Sequence, residues 1–372
     1  MIALVGAWLL AADQASAAES WRAEREIAIY TAPAEPRQRR GVVPPGASFE
    51  VAEHQVAEGC RDWGLVALGG WACLDRATLS TEAPASLAVE SPEAMPYLYG
   101  KARGVGPVSL YPSAAAFARG KAGGELLDPE RSYAFAGREP TARGEVLRLR
   151  DGRVVPSNRV RLYQASDFHG IDDAALALLG YASPAWCVAT SGCALGDGTR
   201  LDYHALFDAS VSEPRSEAGV ARWRPAARPA GVGESDLWVD IDVGEQVLAL
   251  VRGDHVEYLT LAATGRRGRW ETPVGEHLVL DKLLANDMLS RADSPEPYAV
   301  EGVPWVVHFA HRYAIHGAYW HDRFGRRTSH GCVNLSPVDA RALFAALSPP
   351  LPPGWRAVYA DPTDLPTLVR VR

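Results

Sequence analysis

Glycine and proline punctuate this chain so densely that long helices have little room to form: 34 glycines and 27 prolines are spread over 372 residues. Between these breakers, apolar and polar residues alternate in short runs, the period of half-buried strands. From residue 26 to about 79 the runs Ile27-Ala28-Ile29-Tyr30, Phe49-Glu50-Val51 and Trp63-Gly64-Leu65-Val66 are divided by Pro33, Pro44-Pro45-Gly46, Gly59 and Gly69-Gly70. Residues 24–80 are therefore expected to form a small all-β unit. A Glu/Ala/Ser/Pro-rich linker follows to Pro96. Short β runs then resume, such as Val146-Leu147-Arg148-Leu149, and residues 97–208 read as a second β-rich module with room for a short helix over 172–179. Residues 209–234, rich in Pro, Arg, Ala and Gly, read as a linker or irregular strap. The third unit, 235–372, opens on Leu237-Trp238-Val239-Asp240-Ile241-Asp242-Val243, whose alternation sets one apolar face. Its one strong helix signal is Ser336-Pro337-Val338-Asp339, an N-cap, a proline at the first helical position and an acidic residue three after the cap.

The length itself favours two or three domains. A formal net charge of −7 gives no broad cationic field, so nucleic acid and anionic lipid are poor partners. At the N-terminus, the apolar run 2–12 precedes Ala15-Ser16-Ala17, a small-x-small cleavage pattern, although no basic residue comes before it and Asp13 sits beside it. Residues 1–18 are read as a signal peptide, which implies export to the periplasm or cell envelope. No segment approaches the ~20 apolar residues of a membrane span, so no transmembrane anchor is expected in the mature chain. The five cysteines agree with an oxidising compartment: Cys60 with Cys73 and Cys187 with Cys193 form two close pairs, other connectivities remaining open, and Cys332 is left over.

That odd cysteine lies in Ser329-His330-Gly331-Cys332-Val333-Asn334. A thiol needs a base or a positive field to become a nucleophile at neutral pH. His330 is two residues away, and His316, on Ala314-Ile315-His316-Gly317, can be delivered by a strand end. In an extended segment His330 and Cys332 point the same way. Gly331 leaves backbone N–H groups open to a substrate carbonyl as an oxyanion hole, and Asn334 can hold a neighbouring group. The pattern is that of a Cys–His acyl-transfer site needing no cofactor and no metal. His308, His311 and His321 crowd the same region, but no carboxylate–histidine ligand spacing stands out among them. The polar stretch 281–297 reads as a lid over the cleft.

His316-Gly317, then about a dozen residues, then Ser329-His330-Gly331-Cys332-Val333-Asn334 resembles the signature of the L,D-transpeptidase (YkuD-type) catalytic domain. The likeness extends back through Asp240-Ile241-Asp242 and the Thr264-Gly265 and Thr272-Pro273-Val274-Gly275 turns. The resemblance implies a mainly β fold, a β-sandwich-like catalytic domain with a helix after the cysteine motif. It implies Cys332 as nucleophile, His316 as general base, and Gly317, Ser329, His330, Gly331 and Asn334 as the supporting frame. It also implies peptidoglycan stem peptides as donor and as amine acceptor, with water as acceptor in a carboxypeptidase. Many members carry Arg where this chain has Asn334. Tyr298, Trp320 and Met288 match substrate-pocket positions of the Asn-containing subgroup. The N-terminal run order resembles bacterial SH3-like barrels of secreted wall proteins, and the second module is a weaker candidate for the same shape. A papain-like peptidoglycan endopeptidase fits less well, because there the cysteine precedes the histidine. A non-catalytic wall-binding protein is disfavoured by the presence of both His316 and Cys332.

Overall fold

The computed structural model describes residues 18–34, 38–85, 95–104 and 106–372; the expected leader, Ala18 apart, lies outside them. The chain divides into two compact units, one of residues 1–86 with 352–355 and one of 87–351 with 356–372.

In the first unit the alternation read from the sequence becomes antiparallel pairing. Glu19–Ala23 lies between Ser48–Val51 and Ala77–Leu79. A second group runs Arg39–Val43, Ile27–Tyr30, Gly70–Cys73, Cys60–Val66 and Glu53–Ala57 in spatial order. Ile27, Ile29, Val43, Phe49, Val51 and Ala72 fill the small core. Cys60 and Cys73, on neighbouring strands, are joined by a disulfide closing a 13-residue separation, which removes about 3 kcal/mol of loop entropy from the unfolded chain.

The second unit is built on two layers. One sheet has the order Ile171–Asp172, His255–Leu261, Val247–Arg252, Leu237–Asp242, Leu368–Val371, Gly275–Leu278. The facing layer is centred on the long strand Ala299–Ala310, flanked by Asp281–Leu289 and Tyr313–Gly317, with Val333–Leu335 running parallel beyond the latter. Val239, Ile241, Leu248 and Leu250 from the first layer meet Trp305, Val307, Phe309, Ile315, Val333 and Leu335 from the second. The helix Pro337–Ala346 closes the same core through Ala340, Leu343 and Phe344. Its start is as expected: the Ser336 side chain accepts from Asp339 N–H, and a proline follows the cap.

Two expectations give way here. Residues 97–208 are not a free-standing module. Arg131 and Ser132 pair in parallel with Ala299 and Val300, and Ile171 pairs with Leu259. Gly170 N–H also donates to the buried Asp339 carboxylate at 2.9 Å. Nor is 209–234 a linker throughout: Val220–Arg222 pairs with Pro184–Cys187, and Ala221 and Trp223 are buried against Trp186 and Trp238. Their apolar contribution is hidden in the sequence by the prolines and arginines around them. The short helix does form, as Asp173–Leu179, capped by Asp172 and ended by Gly180 in the left-handed conformation. Cys187 and Cys193 are joined in a second disulfide.

Lys282 is the oddest core residue, 1% exposed, its Nζ donating at 2.6 Å to Leu347 O at the helix end and lying over the Phe344 ring. Burial pushes its pKa down to about 7. The unfolded chain therefore binds more protons than the native one between about pH 7 and the ordinary lysine value near 10.4, and Lys282 makes stability rise with pH across that window. Lys282→Met removes the buried ammonium at the cost of one hydrogen bond. It is expected to leave stability at pH 7 equal or raise it by about 1–3 kcal/mol, and to flatten the rise above pH 7. Urea unfolding of both chains at pH 7 and pH 10 checks this; a variant much weaker at pH 7 contradicts it.

Candidate active site

The cysteine motif is held between a strand and a turn rather than inside a strand. Val333–Leu335 pairs in parallel with Tyr313–Gly317, with Ile315 opposite Val333 and His316 opposite Asn334. Cys332 stands just before that strand. Gly331 has φ +122°, so the extended alternation expected across 330–332 is broken there. A Cβ on Gly331 would lie 2.6 Å from Cε1 of Tyr313, and only glycine combines this backbone with that approach. The turn is braced from within and behind. Gly331 N–H donates to Ser329 Oγ at 3.0 Å, Ser329 Oγ–H donates to Cys332 O, and Thr272 Oγ1–H donates to Gly331 O at 2.8 Å. Because Ser329 Oγ already accepts from Gly331 N–H, that group is not a spare oxyanion donor. We predict that Gly331→Ala lowers acylation of Cys332 at least ~100-fold while costing ~1–3 kcal/mol of stability. Thiol acylation rates and a denaturant melt measure the two effects; an unchanged rate contradicts the rigid-turn account.

Cys332 is the one free cysteine, half-buried, with Sγ 3.9 Å from Arg312 O. Burial pushes its thiol up, opposed by a backbone hydrogen bond from Ala314. His316 is 2% exposed, and burial moves its pKa down to about 4. Its Nδ1 lies 3.2 Å from Gly317 O. A carbonyl can only accept, so Nδ1 carries the proton and Nε2 keeps the basic lone pair. At neutral pH the resting pair is thus a thiol and a neutral imidazole, not a preformed ion pair.

His330 sits among charged and aromatic partners. Its Nε2 lies 3.3 Å from Glu296 and 3.2 Å from the Arg266 guanidinium. Its ring meets Trp270 edge-on and Tyr298 at a tilt. Burial and then Arg266 lower its pKa, against the pull of Glu296. His330 therefore ties the 290–298 loop to the motif. That loop is what remains of the expected lid, since Asp281–Leu289 is a strand within the sheet. Asn334 is buried, its amide 3.0 Å from His321 Nε2. Arg323 N–H donates to His321 Nδ1, so the neutral ring carries its proton on Nε2, and the Asn334 amide, whose Nδ2 stands opposite, is assigned the flipped orientation in which Oδ1 accepts. Burial moves His321 down to about 4 as well. The three crowded histidines go separate ways: His308 to Asp281, His321 to Asn334, His311 to Arg312.

Residues 236–358 match the family model of the YkuD L,D-transpeptidase catalytic domain. That segment is an L,D-transpeptidase catalytic domain. No curated protein matches the chain. Among solved structures, an L,D-transpeptidase in complex with imipenem is 21% identical, with a TM-score of 0.30 over 37% of this chain and 58% of its own. The catalytic domain of the E. faecium L,D-transpeptidase is 22% identical, with a TM-score of 0.29 over 37% of this chain and 98% of its own. An L,D-transpeptidase from Mycobacterium smegmatis is 19% identical, with a TM-score of 0.31 over 57% of this chain and 89% of its own.

In this L,D-transpeptidase domain Cys332 opens on a cavity of about 550 Å³. Met288, Tyr298 and His330 line it, as do Arg312, Tyr313 and, unforeseen in the sequence, His308. Trp320 is not in that wall; it packs half-buried against the ring of His316, 5.9 Å between centroids, and edge-on to Tyr319. Gly317 is packed against Pro304, with room for no side chain without displacement. The sequence presents Asp281 as part of a lid and His308 only as a candidate ligand. Alternation could have placed His308 on one face of its strand, but only the strand pairing brings it to the cavity.

Proposed function

We propose that this chain is a peptidoglycan L,D-transpeptidase of the cell envelope. Cys332 attacks the carbonyl of the third residue of a wall tetrapeptide, His316 takes the thiol proton and passes it to the departing D-alanine amine, and the thioester is then transferred to an amine. The observation that supports this best is the state of the sulfurs: four cysteines are paired, and the fifth is free at a cavity, one residue before the strand that pairs with the strand of the buried His316, inside an L,D-transpeptidase domain. An imidazole kept neutral at pH 7 can accept a proton, and a thiol kept protonated survives an oxidising compartment until substrate arrives.

Tyr298 and Met288, in the cavity wall, are assigned to donor binding. Ser329 and Gly331 shape the turn, and Asn334 fixes His321 behind His316. The N-terminal unit, with its β pairing and disulfide, is assigned to wall attachment as an SH3-like barrel, and residues 1–18 to export. Incubating the full chain with disaccharide tetrapeptides and reading the products by mass spectrometry tests the reaction. Loss of the terminal residue with a new amide linkage supports transpeptidation. Tripeptide alone supports the carboxypeptidase alternative, and unaltered tetrapeptide overturns both.

A further inference from the structure

We propose that His308, held by Asp281, is the base that removes the proton from the acceptor amine in the second half of the reaction; this rests on the transpeptidase reading above. The placement follows from strand register. Asp281 pairs with His308, and His308 with Ala314. Ala314 precedes Ile315, which pairs in parallel with Val333, so Cys332 is the next position in the same row. Residues paired across a sheet project to one face, and His316, two residues beyond Ala314, projects there too. Val306, Ala314 and the side of Cys332 pack together on that face, apart from the Val307–Ile315–Val333 face that fills the core. His308 and Cys332 thus stand two strand spacings apart, roughly 10 Å between backbones, and both line the one cavity.

The chemistry of His308 differs from that of His316. Its Nδ1 lies 2.6 Å from Asp281 Oδ1, and both side chains keep 21% exposure. An ionised carboxylate only accepts, so Nδ1–H donates and the lone pair on Nε2 is left as the basic site. His316 is hydrogen-bonded to a carbonyl, with Trp320 against its ring and His308 as a neighbouring like charge, and it is enclosed, which suits a proton shuttle over a short path and not the charge left by an ammonium. Other charged or titratable groups face the cavity: Arg312 at the adjoining hairpin, Arg269, His330 of the motif, Arg291 with Asp293 on the loop, and Asp287 paired to Arg150.

The acceptor enters as an ammonium, since an alkyl amine has a pKa of about 10. His308 Nε2 takes one proton. The free amine attacks the thioester carbonyl, the C–N bond forms and the C–S bond breaks. The second amine proton passes through His316 to the departing thiolate, the third stays on the new amide, and His308 releases its proton to solvent.

The full chain, its His308→Gln variant and its Asp281→Asn variant are compared with a tetrapeptide donor and a D-amino acid acceptor, with intact-protein mass spectrometry following the thioester and chromatography separating transfer from hydrolysis. Acyl-enzyme formation is expected to stay within about threefold. Transfer to the amine is expected to fall by at least ~30-fold in His308→Gln, with less loss in Asp281→Asn, and hydrolysis is expected to take the larger share. The deficit should shrink as pH approaches 10, where the acceptor loses its proton unaided, a recovery that a structural defect would not show. Acylation and transfer falling together in both variants, or an unaltered partition between amine and water, overturns the proposal. A wild-type chain that forms no thioester with the donor overturns the transpeptidase reading and this proposal with it.

Discussion

Cys332→Ala is expected to abolish both release of the donor's terminal residue and formation of the new linkage, a loss of at least ~10⁴-fold, while the chain keeps its fold. The chemical part of the expectation is simple. No other free thiol exists among the described residues, and the proposed mechanism passes through a covalent bond to this sulfur. The structural part follows from how the turn is built. The hydrogen bonds that shape it use Gly331 N–H, Ser329 Oγ, the Cys332 carbonyl and Thr272 Oγ1, none of which the substitution removes. Deleting Sγ at a half-buried position bordering a cavity costs about 1 kcal/mol of contacts. The variant should therefore melt near the wild type and still retain donor peptide, which equilibrium binding can measure. Residual turnover within tenfold of wild type would place the nucleophile elsewhere.

What could be read from the chain before its structure was known follows how local each cause is. Cys332, His330 and Ser329 are within a few residues of one another. The disulfide pairs are separated by 13 and 6 residues, and Ser336-Pro337 is a cap written in consecutive positions. These were legible because short-range chemistry decides them. The Asp281–His308 pair depends instead on which strands become neighbours. Alternation assigns a face to each residue but no partner strand, so a polar run at 281–297 was as compatible with a lid as with a strand. His330 illustrates a second limit. A period of two predicts a shared direction with Cys332, and both residues do line one cavity, but Gly331 between them lies at positive φ and the His330 ring is held by Glu296 and Arg266, partners that no periodicity names. The strap around Ala221 and Trp223 illustrates a third, since composition averaged over 209–234 conceals two core residues.

Replacing His316 tests the catalytic and the thermodynamic readings of one residue together. His316→Ala is expected to reduce acylation at least ~10³-fold, because the thiol that burial keeps protonated then has no enclosed base to receive its proton. The same change should make the fold less sensitive to acid. His316 sits near pKa 4 in the native chain against about 6.5 when unfolded. Between those values the unfolded state binds more protons, so the contribution is complete above about pH 6.5 and is lost as pH falls towards 4. A shift of that size corresponds to about 3 kcal/mol, and His321, also moved to about 4, adds a second contribution of the same sign. Wild-type stability should therefore drop steeply between pH 6.5 and 4, His204 and His330, also lowered by burial, adding contributions of the same sign. In His316→Ala the slope falls by about one proton, although the cavity lowers absolute stability at pH 7. Urea melts at half-unit pH intervals distinguish the outcomes. If the slope persists unaltered, His316 is protonated in the native state near neutrality and cannot be the resting base. If the slope falls but acylation survives, the imidazole is a buried core residue and the proton leaves Cys332 by another path.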